Sequence, residues 1–458
     1  MKSIVLVSAS ALVLSMTAPV LAQSNTSTVT QLGTDSNATV SQPGSGNESE
    51  ITQTAGSTLN DATVTQDGTN AISTITQSGI GNAAFDNNSV TVSQSGDGAD
   101  SSVNQRGNDQ LTVDVTQIGA SISSVIQDGE QLQTVVVQEG NANDSVVRQE
   151  GIGNTIGVPS VTTGVFQFGD NNISNVQQDG ENNAVTVTQV GNDNNSDVDQ
   201  DIVTTRNGVI DLNQTGDGNT SRISQSGNGN TVTIAQTSND NAANVTQAGG
   251  QGNIFTGTQL GPVGGNSVSS IQGEGPNTIT LVQRGTIEAD GDTSGTNTAS
   301  FTQFGLNGEI SLDQTGDGNF GRVRQFNSNP GNRGRDLSAI VVQDGIGNST
   351  NSTQYGERNV ITVDQIGDRN SATLEQFRES TDQSIDINQT GDDGIIDARQ
   401  EGDNNIFTLN DDGSFNEGFL RQDGSTNTAT FNQSGTGNFS SVSQTGNNNV
   451  ATVTQSAP

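Results

Sequence analysis

The stretch at residues 431–455, FNQSGTGNFSSVSQTGNNNVATVTQ, decides how the whole chain is read. Its three glutamines, Gln433, Gln444 and Gln455, stand eleven residues apart. Gly435 and Gly446 follow the first two by two residues, and Asn438 and Asn449 follow them by five. A bulky apolar residue, Phe431, Val442 or Val453, lies two residues before each glutamine. Within residues 449–455, Asn449, Ala451, Val453 and Gln455 alternate with Val450, Thr452 and Thr454, which is the period of a β-strand. Glycine and asparagine after the glutamine supply the backbone angles of a tight turn. One eleven-residue unit is therefore a strand plus a turn, and two units close a coil of 22 residues.

The same beat runs from Gln31 to Gln455 at 36 positions, with Asp411 in place of glutamine at one of them. Of the 35 intervals, 24 are eleven residues long, and the apolar site is Val, Ile, Leu or Phe at 32 of the 36 beats. Such regularity separates an ordered repeat from a Gln/Asn-rich disordered tract. Longer intervals near 79–92, 151–165, 285–301 and 327–341 read as loops bulging from a turn, so residues 23–458 read as one elongated repeat domain. A lone coil of two short strands cannot bury its inner face, but stacked coils can, with Asn and Gln amides laddering from coil to coil. The fold expected is all-β, a β-solenoid of stacked strand-turn-strand coils. About 18 coils at about 4.8 Å each make a rod on the order of 85 Å.

Composition agrees with a thin core. Hydrophobic residues are 28% of the chain and tryptophan is absent, too little apolar surface for a thick interior. Residues 1–22, with Lys2 ahead of an apolar run and Val20-Leu21-Ala22 behind it, read as a secretory signal peptide. Without cysteine, no disulfide stabilises the exported chain. After cleavage, 14 arginines face 50 acidic residues, a formal charge of −36, which repels nucleic acid and anionic lipid and argues against stable membrane insertion. With no histidine, no cysteine and one tyrosine, the chain has little for catalysis and no cofactor motif.

The uninterrupted spacing from Gln389 onward marks the expected self-assembly ladder: Gln389, Gln400, Gln422, Asn427, Gln433, Asn438, Gln444, Asn449 and Gln455. Leu420, Phe431, Val442 and Val453 are the expected core around it. With only Ser456, Ala457 and Pro458 after the last beat, this block is also the expected growing end. Acids just after the beat, Asp67, Asp128, Glu139, Glu150, Asp179, Asp344, Glu401 and Asp423, are candidate gatekeepers that slow edge pairing by like-charge repulsion. Acidic turns such as 217–219 and 290–292 lack the calcium β-roll pattern and read as solubilising charge. Arg322, Arg324, Arg333 and Arg335 read as a solvated loop or a docking patch. Phe168, Phe304, Phe326, Tyr355 and Phe377, after the beat, read as covers for neighbouring apolar strips or as adhesive contacts.

The units at 433–444 and 225–236, in the form Q-x-G-x-G-N followed by alternation to the next glutamine, resemble the curlin repeat of curli amyloid fibre subunits. The resemblance covers most of residues 29–455. It implies a secreted fibre subunit that polymerises outside the cell, with a nucleator subunit and a dedicated outer-membrane secretion pore as partners and roles in adhesion and biofilm matrix. This chain carries many more repeats than such subunits, and only residues 23–28 precede the first unit, where the family has a longer secretion segment. The alternative reading is a monomeric β-solenoid adhesin or ice-binding rod that uses threonine pairs such as Thr186 with Thr188 and Thr452 with Thr454.

Overall fold

A computed structural model of the chain describes residues 13–14, 24–79, 88–107, 110–156, 164–200, 206–261, 265–285, 296–326, 335–377 and 380–456. The signal-peptide reading lies outside them, apart from Val13–Leu14, a short strand parallel to Asn37–Ser41. Much of each expected insertion also lies outside them. The repeats expected as one domain are distributed over two compact units, residues 1–218 and 219–458.

Each unit is a β-solenoid of two parallel sheets, and the described residues contain no helix. In the first unit one sheet runs from Thr26–Gln31 to Asn195–Gln200 and the other from Asn37–Ser41 to Val209–Thr215. In the second unit the sheets run from Thr220–Gln225 to Phe439–Thr445 and from Thr231–Thr237 to Val450–Ser456. Apart from Thr155–Ile156 and Val165–Phe168, which share one level of one sheet, successive strands of the chain fall in opposite sheets, so a strand pairs with the next strand but one. Pairing is in register with the repeat: Gln365 stands between Gln343 and Gln389, and Val363 between Val341 and Ile387.

One strand shows why this sequence takes this form. In Val360–Ile366 and the residue before it, Asn359, Ile361, Val363 and Gln365 are all fully buried. Thr362 and Asp364 are half-exposed and Val360 is exposed, on the outer face. β-Branched residues suit both faces of the pleat, and the period of two sorts them. The core of each unit is thus two facing rows per coil, an aliphatic row and a row of smaller residues such as Ala62, Ala372 and Ala429. Phenylalanine fills the aliphatic or small-residue site at some levels, as at Phe407 and Phe431, whose rings meet edge to face with centroids 5.1 Å apart.

The turn glycine is demanded by the neighbouring coil as much as by its own backbone. Gly413 has φ +155°, and a Cβ placed on it falls 1.8 Å from the carbonyl oxygen of Gly435 in the next turn. Coils at strand spacing leave no room for a side chain there. Gly437 differs: its φ is +73° but nothing lies within 4 Å of an added Cβ. Gly437→Ala is expected to cost about 1–2 kcal/mol, the strain of a left-handed alanine. Gly413→Ala must displace backbone and is expected to cost more than about 3 kcal/mol, the range of severe steric changes. Hydrogen exchange across residues 406–436 distinguishes the two; equal effects would refute the crowded turn.

Candidate functional site

The working feature of this fold is the column of amides inside each coil edge. Gln400 illustrates a complete member. Its Oε1 accepts from Gln376 Nε2 at 3.2 Å, and its own Nε2 donates to Gln422 Oε1 at 2.9 Å. The second Nε2 hydrogen reaches across the coil to the carbonyl of Ser384 at 3.0 Å. Gln422 repeats the set with Gln444 Oε1 at 2.8 Å and the carbonyl of Ile406 at 3.2 Å. The first unit holds the same column, with Gln127 donating to Gln149, Gln149 to Gln178 and Gln178 to Gln200 at 2.9–3.0 Å. A glutamine buried in this way is satisfied by the coils above and below it, and its cross-coil bond ties the two sheets together.

The asparagines do a different job from the amide-to-amide ladder expected of them. The backbone N–H of Asn370 donates to Asn348 Oδ1 at 3.0 Å, and Asn370 Oδ1 accepts from the backbone N–H of Gly394 at 3.0 Å. Asn370 Nδ2 donates to the carbonyl of Gly391 in the next turn at 2.7 Å. Asparagine therefore staples one turn's backbone to the next. Amide-to-amide bonds join some pairs as well, including Asn449 to Asn427 at 2.9 Å and Asn438 to Asn416 at 3.1 Å.

The residues singled out in the C-terminal block fall into two environments. Gln389, Gln400, Gln422, Asn427, Gln433 and Gln444 are buried, as are Leu420 and Phe431. Asn438, Asn449 and Gln455 are half-exposed, and Gln433 donates to Gln455 at a longer 3.4 Å. Val442 and Val453, expected in the core, are half-exposed instead. Their strands, Phe439–Thr445 and Val450–Ser456, pair on one side only among the described residues, so no further coil covers their inner rows.

The candidate gatekeepers are not one column. Asp128 and Glu150 are register partners with Asp179 one level on, and Arg106 precedes them in the same column. Glu401 and Asp423 also stack directly. Glu139 stands beside Ile118, with Phe168 on its other side, and Asp344 lies between Thr315 and Ile366. Like-charge stacking is thus confined to two columns, and there Glu150 is ion-paired with Arg148 and Asp423 lies 3.9 Å from Arg421.

Of the aromatics after the beat, Phe304, Phe326 and Tyr355 stack in a row, whereas Phe168 lies between Glu139 and Val190. Phe304 and Phe326 have ring centroids 6.4 Å apart, and Phe326 and Tyr355 5.3 Å, with nearly parallel planes. Phe304 also covers Gly273, where an added Cβ would fall 2.6 Å from the ring. Arg322 and Arg324 lie on the strand Phe320–Phe326, whereas Arg335 sits in a turn that bridges to Leu306 and Glu357; Arg333 lies outside the described residues. Asp217 Oδ1, in one of the acidic turns, accepts from the backbone N–H of Asn192 at 2.7 Å; residues 290–292 lie outside the description. Threonine columns exist on the outer face, as in Thr408, Thr430 and Thr452, but Asp386 interrupts that column and Asp211 follows Thr186 in the other unit.

A feature not read from the sequence is the residue four places after the beat, which is left-handed in turn after turn. Asp393, Asn404 and Asn448 have φ of 55–60°, and so do Arg369 and Phe415. Arg358 and Asp382, also left-handed, meet across adjacent turns through two bonds of 2.7 and 2.8 Å, and Arg369 meets Asp393 through two of 2.8 Å. The guanidinium in each pair holds the facing carboxyl below the usual carboxylate range. The run of Gly, Asn and Asp at this position was the available signal, because these residue types enter the left-handed region most readily.

The geometry defines a class: parallel β-solenoids whose coils are joined by buried glutamines. The curlin associated repeat matches residues 209–237, 222–249, 356–391, 413–446 and 427–456. The chain thus carries stretches that match the curlin associated repeat, and this repeat on this fold points to a structural protein. No curated protein matches it.

The ladder predicts how a single loss propagates. Gln365 Oε1 accepts from Gln343 Nε2 and from the Thr350 hydroxyl, and its Nε2 donates to Gln389 Oε1. Gln365→Leu strands Gln389 Oε1 and the Thr350 hydroxyl hydrogen, while Gln343 Nε2 keeps the carbonyl of Phe320 and the Thr350 oxygen, and it is expected to cost about 2 kcal/mol or more at roughly 1–3 per orphan. Thr362→Ala on the outer face of the same strand stays within about 0.5 kcal/mol. Hydrogen exchange in Ser338–Ile346 and Ser384–Thr390 reads the difference, and similar effects from the two changes would refute the ladder's role.

Proposed function

We propose that the protein is a secreted structural subunit that assembles end to end into curli-like amyloid fibres for cell adhesion and biofilm matrix. Residues 1–22 direct export in this reading, and a nucleator subunit and an outer-membrane pore are the partners that the repeat implies. The work is done by an edge and not by catalysis, so no residue turns over a substrate.

The observation that carries the proposal is the condition of the strand Val450–Ser456. Ala451, Val453 and Gln455 are half-exposed there, while their counterparts one coil earlier, Ala429, Phe431 and Gln433, are buried. An incoming coil of the same eleven-residue pattern offers the same rows and the same backbone partners. Strand addition at such an edge supplies main-chain hydrogen bonds and a matching inner face. Every coil junction within each unit is already an example of that joint, so polymerisation extends the packing that folds the molecule.

Purified residues 23–458, incubated in solution, are expected to form fibres that diffract at about 4.7–4.8 Å and about 10 Å. Stable monomers with a sheet spectrum would favour the adhesin instead. Deleting residues 422–455 is expected to impair polymerisation more than deleting an equal length between residues 247 and 303. The first deletion leaves Asp411 as the last beat, and an ionised carboxylate has no N–H to pass on. Equal effects would make the C-terminal block one rung among many.

The gatekeeper hypothesis now has a defined target. Replacing Asp128, Glu150 and Asp179 by their amides removes the three-level acidic column and is expected to shorten the lag of fibre growth, measured by dye binding. Glu139 and Asp344, which lack stacked acids, serve as controls with smaller effects. An unchanged lag in the column variant would end the hypothesis.

A further inference from the structure

The glutamine column of residues 219–458 has one member that is not an amide. Asp411 is 3% exposed, between Gln389 on one neighbouring strand and Gln433 on the other. In a running ladder, each beat accepts from the amide before it and donates to the amide after it. An ionised carboxylate accepts only. Gln433 Oε1 is buried and has no hydrogen-bond partner, and Gln389 Nε2 is likewise unpartnered, because the aspartate side chain is one methylene shorter than the glutamine it replaces. The outer bonds of the same two side chains are intact. Gln389 Oε1 accepts from Gln365 at 2.9 Å, and Gln433 Nε2 donates to the carbonyl of Glu417 at 3.0 Å. The fault is local to Asp411.

The surroundings do not compensate a charge. Asn416 Nδ2 donates to Asp411 Oδ1 at 2.5 Å, and this is the one amide that meets the carboxylate. On the other side stands Gly394, where a Cβ would fall 3.1 Å from Asp411 Oδ2 and 2.8 Å from Gln389 Nε2. Strands Ser384–Thr390 and Thr428–Thr436 face Asp411 with Gln389 and Gln433, both uncharged. The turn before Gly394 carries Asp392 and Asp393, and Asp393 is paired with Arg369 at 2.8 Å. Asp412, exposed on the same strand, adds a repelling negative charge, and among the described residues no cation is paired with Asp411. Burial first, and then Asp412, push the Asp411 carboxyl up to about 6, against the bond from Asn416. A shallow depression of about 300 Å³ on the outer face is lined by Asn388, Thr390, Asn410, Asp411 and Asp412.

We propose that Asp411 is a pH-operated break in the ladder: ionised, it has no hydrogen to give Gln433 Oε1, and protonated, it supplies one and closes the joint to the next coil. The neutral carboxyl takes its proton from solvent. Its O–H then donates to Gln433 Oε1, the acceptor that the ionised form leaves without a partner. The sign follows from linkage. The folded state binds this proton more tightly than the unfolded chain, so the region is most stable below the ordinary carboxylate range and loses that stability as pH rises through the folded value. Most acidic side chains in ion pairs behave the opposite way. Acid therefore consolidates the stack at the level beneath the edge strand Val450–Ser456, and neutral pH loosens it.

The test is hydrogen exchange on the full mature chain, corrected for intrinsic rates, in the wild type and in Asp411→Gln. In the wild type, amides of Ser384–Thr390 and Thr428–Thr436 are expected to be about tenfold better protected at about pH 5 than at about pH 7.5, a factor that corresponds to one unit of pKa difference. In Asp411→Gln, which restores the residue found at the other beats, protection is expected to be high at both values. The same pH response in both proteins, or weaker protection of the variant near neutral pH, would overturn the proposal. A carbon-detected titration of the Asp411 carboxyl in the wild type decides independently of the variant. Half-protonation above about pH 5 is expected, and an ordinary value near about 4 would overturn the proposal.

Discussion

A buried amide that finds its partner only in the next coil is the constraint on which the rest of this structure depends. Glutamine carries two donors and an accepting oxygen, and leaving any of them unmet in a dry interior costs as much as a core methyl group contributes or more. The chain meets this demand by repetition. Gln376, Gln400 and Gln422 each receive from below, give above and reach across to the opposite sheet. That arrangement tolerates only parallel strands in register, because a slip by one residue would turn every glutamine out to solvent. The even beat and the glycine two residues later are consequences of the same requirement.

The ladder also explains how so polar a chain folds. Two facing rows of aliphatic and small residues supply a narrow dry strip, and amides close it at both edges. The interior is thus made of strips as wide as one coil, with stability accumulating from coil to coil in the manner of other repeat folds. The acidic surface is compatible with this because outward residues carry little of the packing. Where charges do enter the turns, as at Arg358 with Asp382 and Arg369 with Asp393, they are paired between neighbouring turns.

Most of the fold was legible because it is periodic. Gln365, Val363, Ile361 and Asn359 occupy positions that recur every eleven residues, and the alternation told inside from outside. What was not legible depends on which coil lies against which. Val442 and Val453 match the core pattern as well as Leu420 does, yet burial of a repeat belongs to its neighbours and not to its own residues. The acids fall into a column at Asp128 and Glu150 but are isolated at Glu139 and Asp344, because successive beats fall in opposite sheets and the positions that neighbour Glu139 and Asp344 within their own sheet carry Ile118, Phe168, Thr315 and Ile366. Asparagine and glutamine looked alike as ladder formers. Their difference in reach sends asparagine to the turn backbone and glutamine to the next amide. Asp411 was visible as an exception, but its two stranded neighbours appear only when the strands are set side by side.

The central claim is that consecutive beats stack in one parallel register, and a distance measures it directly. Thr362, Asp386, Thr408, Thr430 and Thr452 are successive register partners on the outer face of one sheet. The chain has no cysteine of its own, so spin labels can be placed uniquely at residues 362 and 452. Four coil steps at about 4.8 Å put the labelled backbones about 19 Å apart, with a narrow distribution. A broad distribution centred on the order of 50 Å, as in an unfolded segment of that length, would contradict the account.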